Sequence, residues 1–287
     1  MRTRSMIFLM AVLTLAGSVL SSCNKEDSQI LNNDLQTIED DALMEAADED
    51  INTYADQFDA LGDDMLKSGV EVVTDTCPLV THVRNGDTVV VTIDFGENCI
   101  DRNLNSRSGK IIITKVGRRI DEGSYRRVTL ENFIVNGNKI EGTRTITNLG
   151  LNENSNPHFS VVLTGGKLTT ADGDVLERSY ERDREWITGF DTPNAWDNEY
   201  MITGTASGVN YLGKAYTRTI LEALHVKMAC RFIVSGVIES QVEGEEAVTL
   251  DYGDGECDNY ATVSKGGENR QIELRMNRHR WVKRAGN

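Results

Sequence analysis

Residues 177–186 read Glu-Arg-Ser-Tyr-Glu-Arg-Asp-Arg-Glu-Trp. This stretch discriminates helix from strand. Wound as a helix, Glu177, Glu181 and Glu185 would stack at i,i+4 spacing and repel one another. Extended, Glu177, Glu181, Asp183 and Glu185 share one face, and Arg178, Tyr180, Arg182, Arg184 and Trp186 share the other. The strand separates the charges and the helix does not, so the segment predicts a strand with an aromatic, basic face.

Period two spreads outward from there. Val89, Val91, Ile93 and Phe95 alternate with Val90, Thr92 and Asp94. Similar runs follow at 110–116, 126–135, 140–148, 159–169, 175–188, 200–206, 215–224, 231–238, 246–252 and 270–276. Asn136-Gly137, Gly165-Gly166, Asp172-Gly173 and Gly253-Asp254-Gly255 punctuate them as turns, and the chain holds only 3 Pro. Many strands joined by short turns predict a mainly β fold. The expected form is an antiparallel meander making a curled sheet or a sandwich.

Upstream the pattern changes to helical spacing. Ile51, Tyr54, Phe58, Leu61 and Met65 recur at three and four residues, Leu35, Ile38 and Ala42 begin a similar stripe, and Gly62 reads as a break. One or two short N-terminal helices are expected within 34–66, covering one face of the β domain. Charge marks the same boundary. Residues 24–66 carry 14 acids and one Lys, whereas 67–287 carry 31 acids and 27 bases. The whole chain of 287 residues has a net charge of −15, which argues against a nucleic-acid partner because phosphate repels an acidic surface.

The first 22 residues read as an export signal. Arg2 and Arg4 precede an apolar run of 15 residues, Met6 to Leu20. That run is shorter than the ~20 residues of a membrane span and suits a signal segment. It ends Leu20-Ser21-Ser22-Cys23, a pattern resembling the lipobox of bacterial lipoproteins. The resemblance implies that Cys23 becomes the lipidated first residue and that the protein meets the membrane through that lipid. Lys25-Glu26-Asp27 resembles the surface-export signal of Bacteroidota lipoproteins. Residues 23–33 then serve as anchor and tether, and 67–287 form the β domain.

Within that domain Val91-Thr92-Ile93-Asp94-Phe95-Gly96 is echoed by Val248-Thr249-Leu250-Asp251-Tyr252-Gly253, and Thr143-Arg144-Thr145-Ile146 by Thr217-Arg218-Thr219-Ile220. The echoes suggest two related modules, about 67–150 and 151–287. With Cys23 lipidated, four cysteines remain, which allow three pairings. Cys77 with Cys99 and Cys230 with Cys257 are the expected disulfides, because each pair brackets one strand–turn–strand unit.

Chemistry-bearing constellations are sparse. Gly208 to Ala215 nearly matches a phosphate-binding loop, but Ala215 stands where a Ser or Thr would hold magnesium, so a hairpin turn is expected. Asp251, Asp254 and Asp258 form a calcium candidate that an acidic turn explains as well. His82, His158, His225 and His279 are scattered, and no cofactor is expected. The binding candidate is the face Arg178, Tyr180, Arg182, Arg184 and Trp186 with nearby Trp196, which could stack on sugars and pair with anions. The competing expectation is that these residues pair across strands with acids such as Glu131 or Glu141. The tail 275–287 holds Arg275, Arg278, Arg280, Lys283 and Arg284 with no acid, a match for the acidic lead. Asp87-Thr88-Val89 resembles the O-glycosylation acceptor of Bacteroidota exported proteins.

Taken along its length, the chain resembles uncharacterised lipoproteins of the Bacteroidota: a lipobox, an acidic helical lead, and β modules with Asp-Phe/Tyr-Gly closely followed by Cys. That resemblance implies a lipid-anchored, outer-membrane location, surface-exposed or on the periplasmic face. The expected function is a non-enzymatic module binding a glycan or a protein, with a polysaccharide-acting hydrolase or an accessory subunit of an outer-membrane complex as alternatives.

Overall fold

The strand patterns of the sequence resolve into one sheet in a computed structural model. It describes Ile38, 43–45, 47, 48, 50–52, 54, 55, 77–101, 104–192, 195–230 and 232–274. The strands are β1 (Leu79–Asn85), β2 (Thr88–Asp94), β3 (Cys99–Ile100), β4 (Ser106–Val116), β5 (Tyr125–Val135), β6 (Asn138–Leu151) and β7 (Pro157–Thr169). They continue as β8 (Val175–Thr188), β9 (Glu199–Val209), β10 (Ala215–Lys227), β11 (Ile233–Val242), β12 (Val248–Asp254), β13 (Tyr260–Lys265) and β14 (Glu268–Glu273). Apart from the two-residue β3, which pairs β4, each strand lies beside its sequence neighbours from β1 to β14, always antiparallel. Among the described residues the result is one open meander of 13 strands with β3 attached to β4, a single curled sheet and not a sandwich.

Residues 177–186 lie within β8, as their charge alternation demands. The strand at 175–188 and most others match their sequence patterns to within a few residues. The strand led by Cys77 is β1. Two were not foreseen: β13, whose apolar alternation is only Ala261 and Val263, and β3, which is two residues long. The strand expected at 231–238 is displaced to Ile233–Val242, and that at 270–276 to Glu268–Glu273. Residue 150 falls inside β6, which pairs with β7.

Directly opposed residues share a face, so the register identifies the inner surface. One row crosses eleven strands: His82, Val91, Ile113, Val128, Arg144, Leu163, Tyr180, Ala206, Arg218, Ser240 and Val248. Its flanks are largely apolar, and in its middle Arg144, Tyr180 and Arg218 alternate with Leu163 and Ala206.

All described residues between 38 and 55 are helical, and they lie against this face. Met44, Ala47, Ile51 and Ala55 are buried in one cluster with Val91, Ile93, Ile111, Ile113 and Phe133. The buried stripe thus runs through 44, 47, 51 and 55. Tyr54 lies at its margin rather than at its centre, because Tyr54 must keep its hydroxyl near Asp101. Ile38 packs far away, against Val248, Leu250, Ala261 and Val263. The described helical residues thus reach from β12 and β13, at Ile38, to β4, at Asp50. Phe58, Leu61 and Met65, the Gly62 break and the basic tail lie outside the described residues.

Candidate functional site

The helix contributes more than an apolar stripe. Its acidic positions fall beside the apolar ones by 3.6-residue geometry and meet the basic centre of the sheet. Glu45 receives a fork from Arg182, with Nη1 and Nη2 each donating at 3.0 Å, and a third hydrogen bond from Arg178 Nη2 at 2.8 Å. One turn on, Asp48 accepts from the Tyr180 hydroxyl at 2.7 Å and from Arg144 Nη1 at 3.3 Å. Asp50 receives both Nη groups of Arg107, one of them at 2.8 Å, while Arg107 Nε donates to Asp101 at 3.0 Å. The acids step from β8 through β6 to β4 as the helix crosses the sheet.

Burial and charge oppose one another here. Burial alone would raise the Glu45 carboxyl, but the charges and hydrogen bonds of Arg182 and Arg178 outweigh it and hold it well below the usual carboxylate range. At Asp101 burial again raises, and hydrogen bonds from Asn105 and Arg107 bring the net shift downward. Burial raises the Tyr180 phenol, so this hydroxyl is a firm donor to Asp48. Arg107 is 2% exposed, yet Asp50 and Asp101 keep its guanidinium charged.

The six candidate ligand-binding residues fall into three groups. Arg178, Tyr180 and Arg182 lie under the helix, with the two guanidiniums 5.3 and 4.3 Å from the Tyr180 ring centre. Arg184 and Trp186 continue the same face toward the end of β8. There Arg184 lies 3.7 Å over the Tyr200 ring, and Trp186 tilts against Tyr200 at 5.7 Å. Trp196 stands apart, exposed in the short 3-10 turn Ala195–Asp197. The expected cross-strand partners are corrected: the acid facing Arg178 and Arg182 is Glu45, from the helix. Glu141 instead accepts from Lys139 at 2.8 Å, and Glu131 is exposed opposite Lys110. Sequence reading missed Glu45, Asp48 and Asp50 as partners, although their excess of charge in the lead was a signal.

Glycines make room for this arrangement. Gly204 lies opposite Arg182 and Gly208 opposite Arg178. A Cβ at Gly204, where φ is +134°, would come within 2.2 Å of the Glu181 carbonyl oxygen. At Gly208 a Cβ would meet the Glu177 carbonyl and, at 2.9 Å, the Tyr216 hydroxyl, which also donates to that carbonyl.

The remaining candidates resolve simply. Cys77–Cys99 and Cys230–Cys257 are disulfides, and Cys23 lies outside the described residues. The first ties the entry of β1 to β3, and the second joins the β10–β11 and β12–β13 connections. The loop within 208–215 is a hairpin turn in which Asn210 Oδ1 accepts from Leu212 and Lys214 amides, and Lys214 Nζ bonds Glu245 at 2.6 Å. Asp251 and Asp258 each spend a carboxylate oxygen on a nearby amide, of Gly253 and Tyr260, at 2.9 Å. Among the described residues no three His, Cys, Asp or Glu side chains are grouped to hold a metal ion. No protein-family model matches the chain, no curated protein is similar to it, and no solved structure matches it.

Proposed function

We propose that this chain is a lipid-anchored protein of the cell envelope, acting at the outer membrane as a non-enzymatic binding or structural module. The observation that carries the reading is the pairing of four cysteines into two disulfides, which leaves Cys23 as the odd one of five. Disulfides belong to oxidising compartments, and a cysteine directly after a signal segment is the position that lipidation uses. The docked helix adds support. Its acids are engaged as counter-ions to Arg107, Arg144, Arg178 and Arg182, so the gathered carboxylates serve to join the lead to the sheet.

Labelling cells with an alkynyl fatty acid tests the anchor. The wild-type chain is expected to take up label and to fractionate with the outer membrane, and Cys23→Ala to do neither. An unlabelled, freely soluble wild-type chain refutes the reading. Protease shaving of intact cells, with a lysed control, then reports on the Lys25-Glu26-Asp27 export signal.

A further inference from the structure

In an antiparallel meander alternate connections fall at the same end of the sheet. One end gathers the turns after β4, β6, β8, β10 and β12. This end carries the exposed aromatic rings Phe190, Trp196 and Tyr260, with Ile120, Leu149, Leu151 and Met228 beside them. Trp196 is 69% exposed and Ile120 75%. Contacts join the first four of these turns into one rim. The Asn148 amide donates to the Arg119 carbonyl at 2.8 Å, linking the end of β6 to the β4–β5 turn. Arg119 lies 5.1 Å over the Trp186 ring, and Trp186 meets Phe190 edge-on at 6.3 Å. The Met228 amide donates to the Asn198 carbonyl at 2.9 Å, which links the β8–β9 and β10–β11 connections. The opposite end exposes the aliphatic side chains Leu79, Ile100, Leu104, Val175 and Leu212 but, among the described residues, no aromatic ring.

We infer that this rim is a lipid-facing surface that inserts shallowly into a zwitterionic headgroup layer. The apolar groups sit on the tips of several separate turns, which suits a soft, deformable partner. Tryptophan and phenylalanine favour the level where headgroups meet acyl chains, and an apolar face enters that boundary by about 5–10 Å. Charge selects the headgroup. Arg118 is paired with Asp121 at 2.7 Å and Arg119 lies over Trp186, while Glu122, Glu153 and Asp191 are exposed close by, so the described residues of the rim show no surplus of cations for an anionic surface. The acidic chain as a whole would be repelled by one. The inference rests on the envelope reading for its setting. A lipid at Cys23 would hold the rim near a bilayer and raise its effective concentration there.

The test uses the processed chain, residues 23–287 with Cys23→Ser, so that no attached lipid contributes and a failed anchor is not mistaken for a failed rim. Co-sedimentation with phosphatidylcholine–phosphatidylethanolamine vesicles is expected, with weaker binding when phosphatidylglycerol is added. Phe190→Ser with Trp196→Ser lowers partitioning about tenfold or more, while Leu104→Ser with Leu212→Ser leaves it unchanged. Circular dichroism confirms that both variants keep their strands. Three results overturn the inference: no binding to zwitterionic vesicles, equal loss in both variants, or a rim variant that alters only the oligomeric state.

Discussion

Glu45 and Arg178 lie 133 residues apart in the chain and are joined by a hydrogen bond of 2.8 Å. Arg178 is 3% exposed as a side chain and Glu45 40%, so the cation is the buried partner. Removing the acid leaves that cation, and Arg182 beside it, without their carboxylate. Glu45→Gln is expected to lower unfolding free energy by about 1–3 kcal/mol, reduced from the fully buried case by the exposure of Glu45. Urea denaturation measures this. Combining it with Arg178→Met in a double-mutant cycle gives a coupling of about 0.5–3 kcal/mol if the two act together.

Stability is expected to fall in acid, with a defined sign. The Glu45 and Asp101 carboxyls are depressed in the folded protein relative to their ordinary values of 4.5 and 3.8. The unfolded chain therefore takes up protons first as pH drops. Their contribution is complete above about pH 5, declines as pH passes below those ordinary values, and is gone below the folded values. Melting temperature measured from pH 7 to pH 2.5 should show this decline. Glu45→Gln should make it shallower, because one of the responsible groups no longer titrates.

Different parts of this architecture were legible to different degrees, for physical reasons. The face of β8 could be read because charge sorting at period two is local and has no helical equivalent. β13, Tyr260–Lys265, has no such charge sorting and is recognised only through its register with β12 and β14. The amphipathic lead was readable, but not its destination. Nothing in the neighbourhood of Arg178 distinguishes an acid on the next strand from an acid 133 residues away, and laying a helix across the open sheet is a long-range choice. Trp196 could be singled out as an aromatic in a polar loop, but the rim that it belongs to is assembled by topology.

The glycines opposite the arginines should resist substitution. Gly208→Ala places a Cβ against the Glu177 carbonyl, which is backbone and cannot move without disturbing β8. A loss of about 2 kcal/mol or more is expected, in the range of overpacked interiors. Gly213, in the neighbouring turn, has φ +75° but open space around it, so its Ala variant should show backbone strain alone, about 1 kcal/mol. Thermal melts of the two variants separate steric conflict from conformational strain.

The disulfides should differ in what they protect. With sequence separations of 22 and 27 between their cysteines, chain-entropy estimates give roughly 3.5 kcal/mol each. Cys77–Cys99 fastens the edge strand β1, which pairs only with β2 among the described residues. In Cys77→Ser/Cys99→Ser, hydrogen exchange is expected to accelerate first over 79–85. In Cys230→Ser/Cys257→Ser it should accelerate over the connections at 228–232 and 255–259, with β1 retaining its protection.

Arg107 offers the sharpest test of whether geometry or charge docks the helix. Its guanidinium uses Nη1 and Nη2 on Asp50 of the helix and Nε on Asp101 of the sheet, and lies 4.6 Å over the ring of Tyr54. A lysine has the charge but neither the fork nor the plane, so it can serve one carboxylate well and leaves the other short of donors. Arg107→Lys is therefore expected to cost nearly as much as Arg107→Met, about 3–5 kcal/mol for a broken buried pair. The loss should be partly relieved in Arg107→Met by adding Asp50→Asn, which removes the stranded charge from the helix, whereas Arg107→Lys with Asp50→Asn should gain less. If lysine instead restores wild-type stability, positive charge alone holds the helix in place, and the planar geometry of the arginine is incidental to docking.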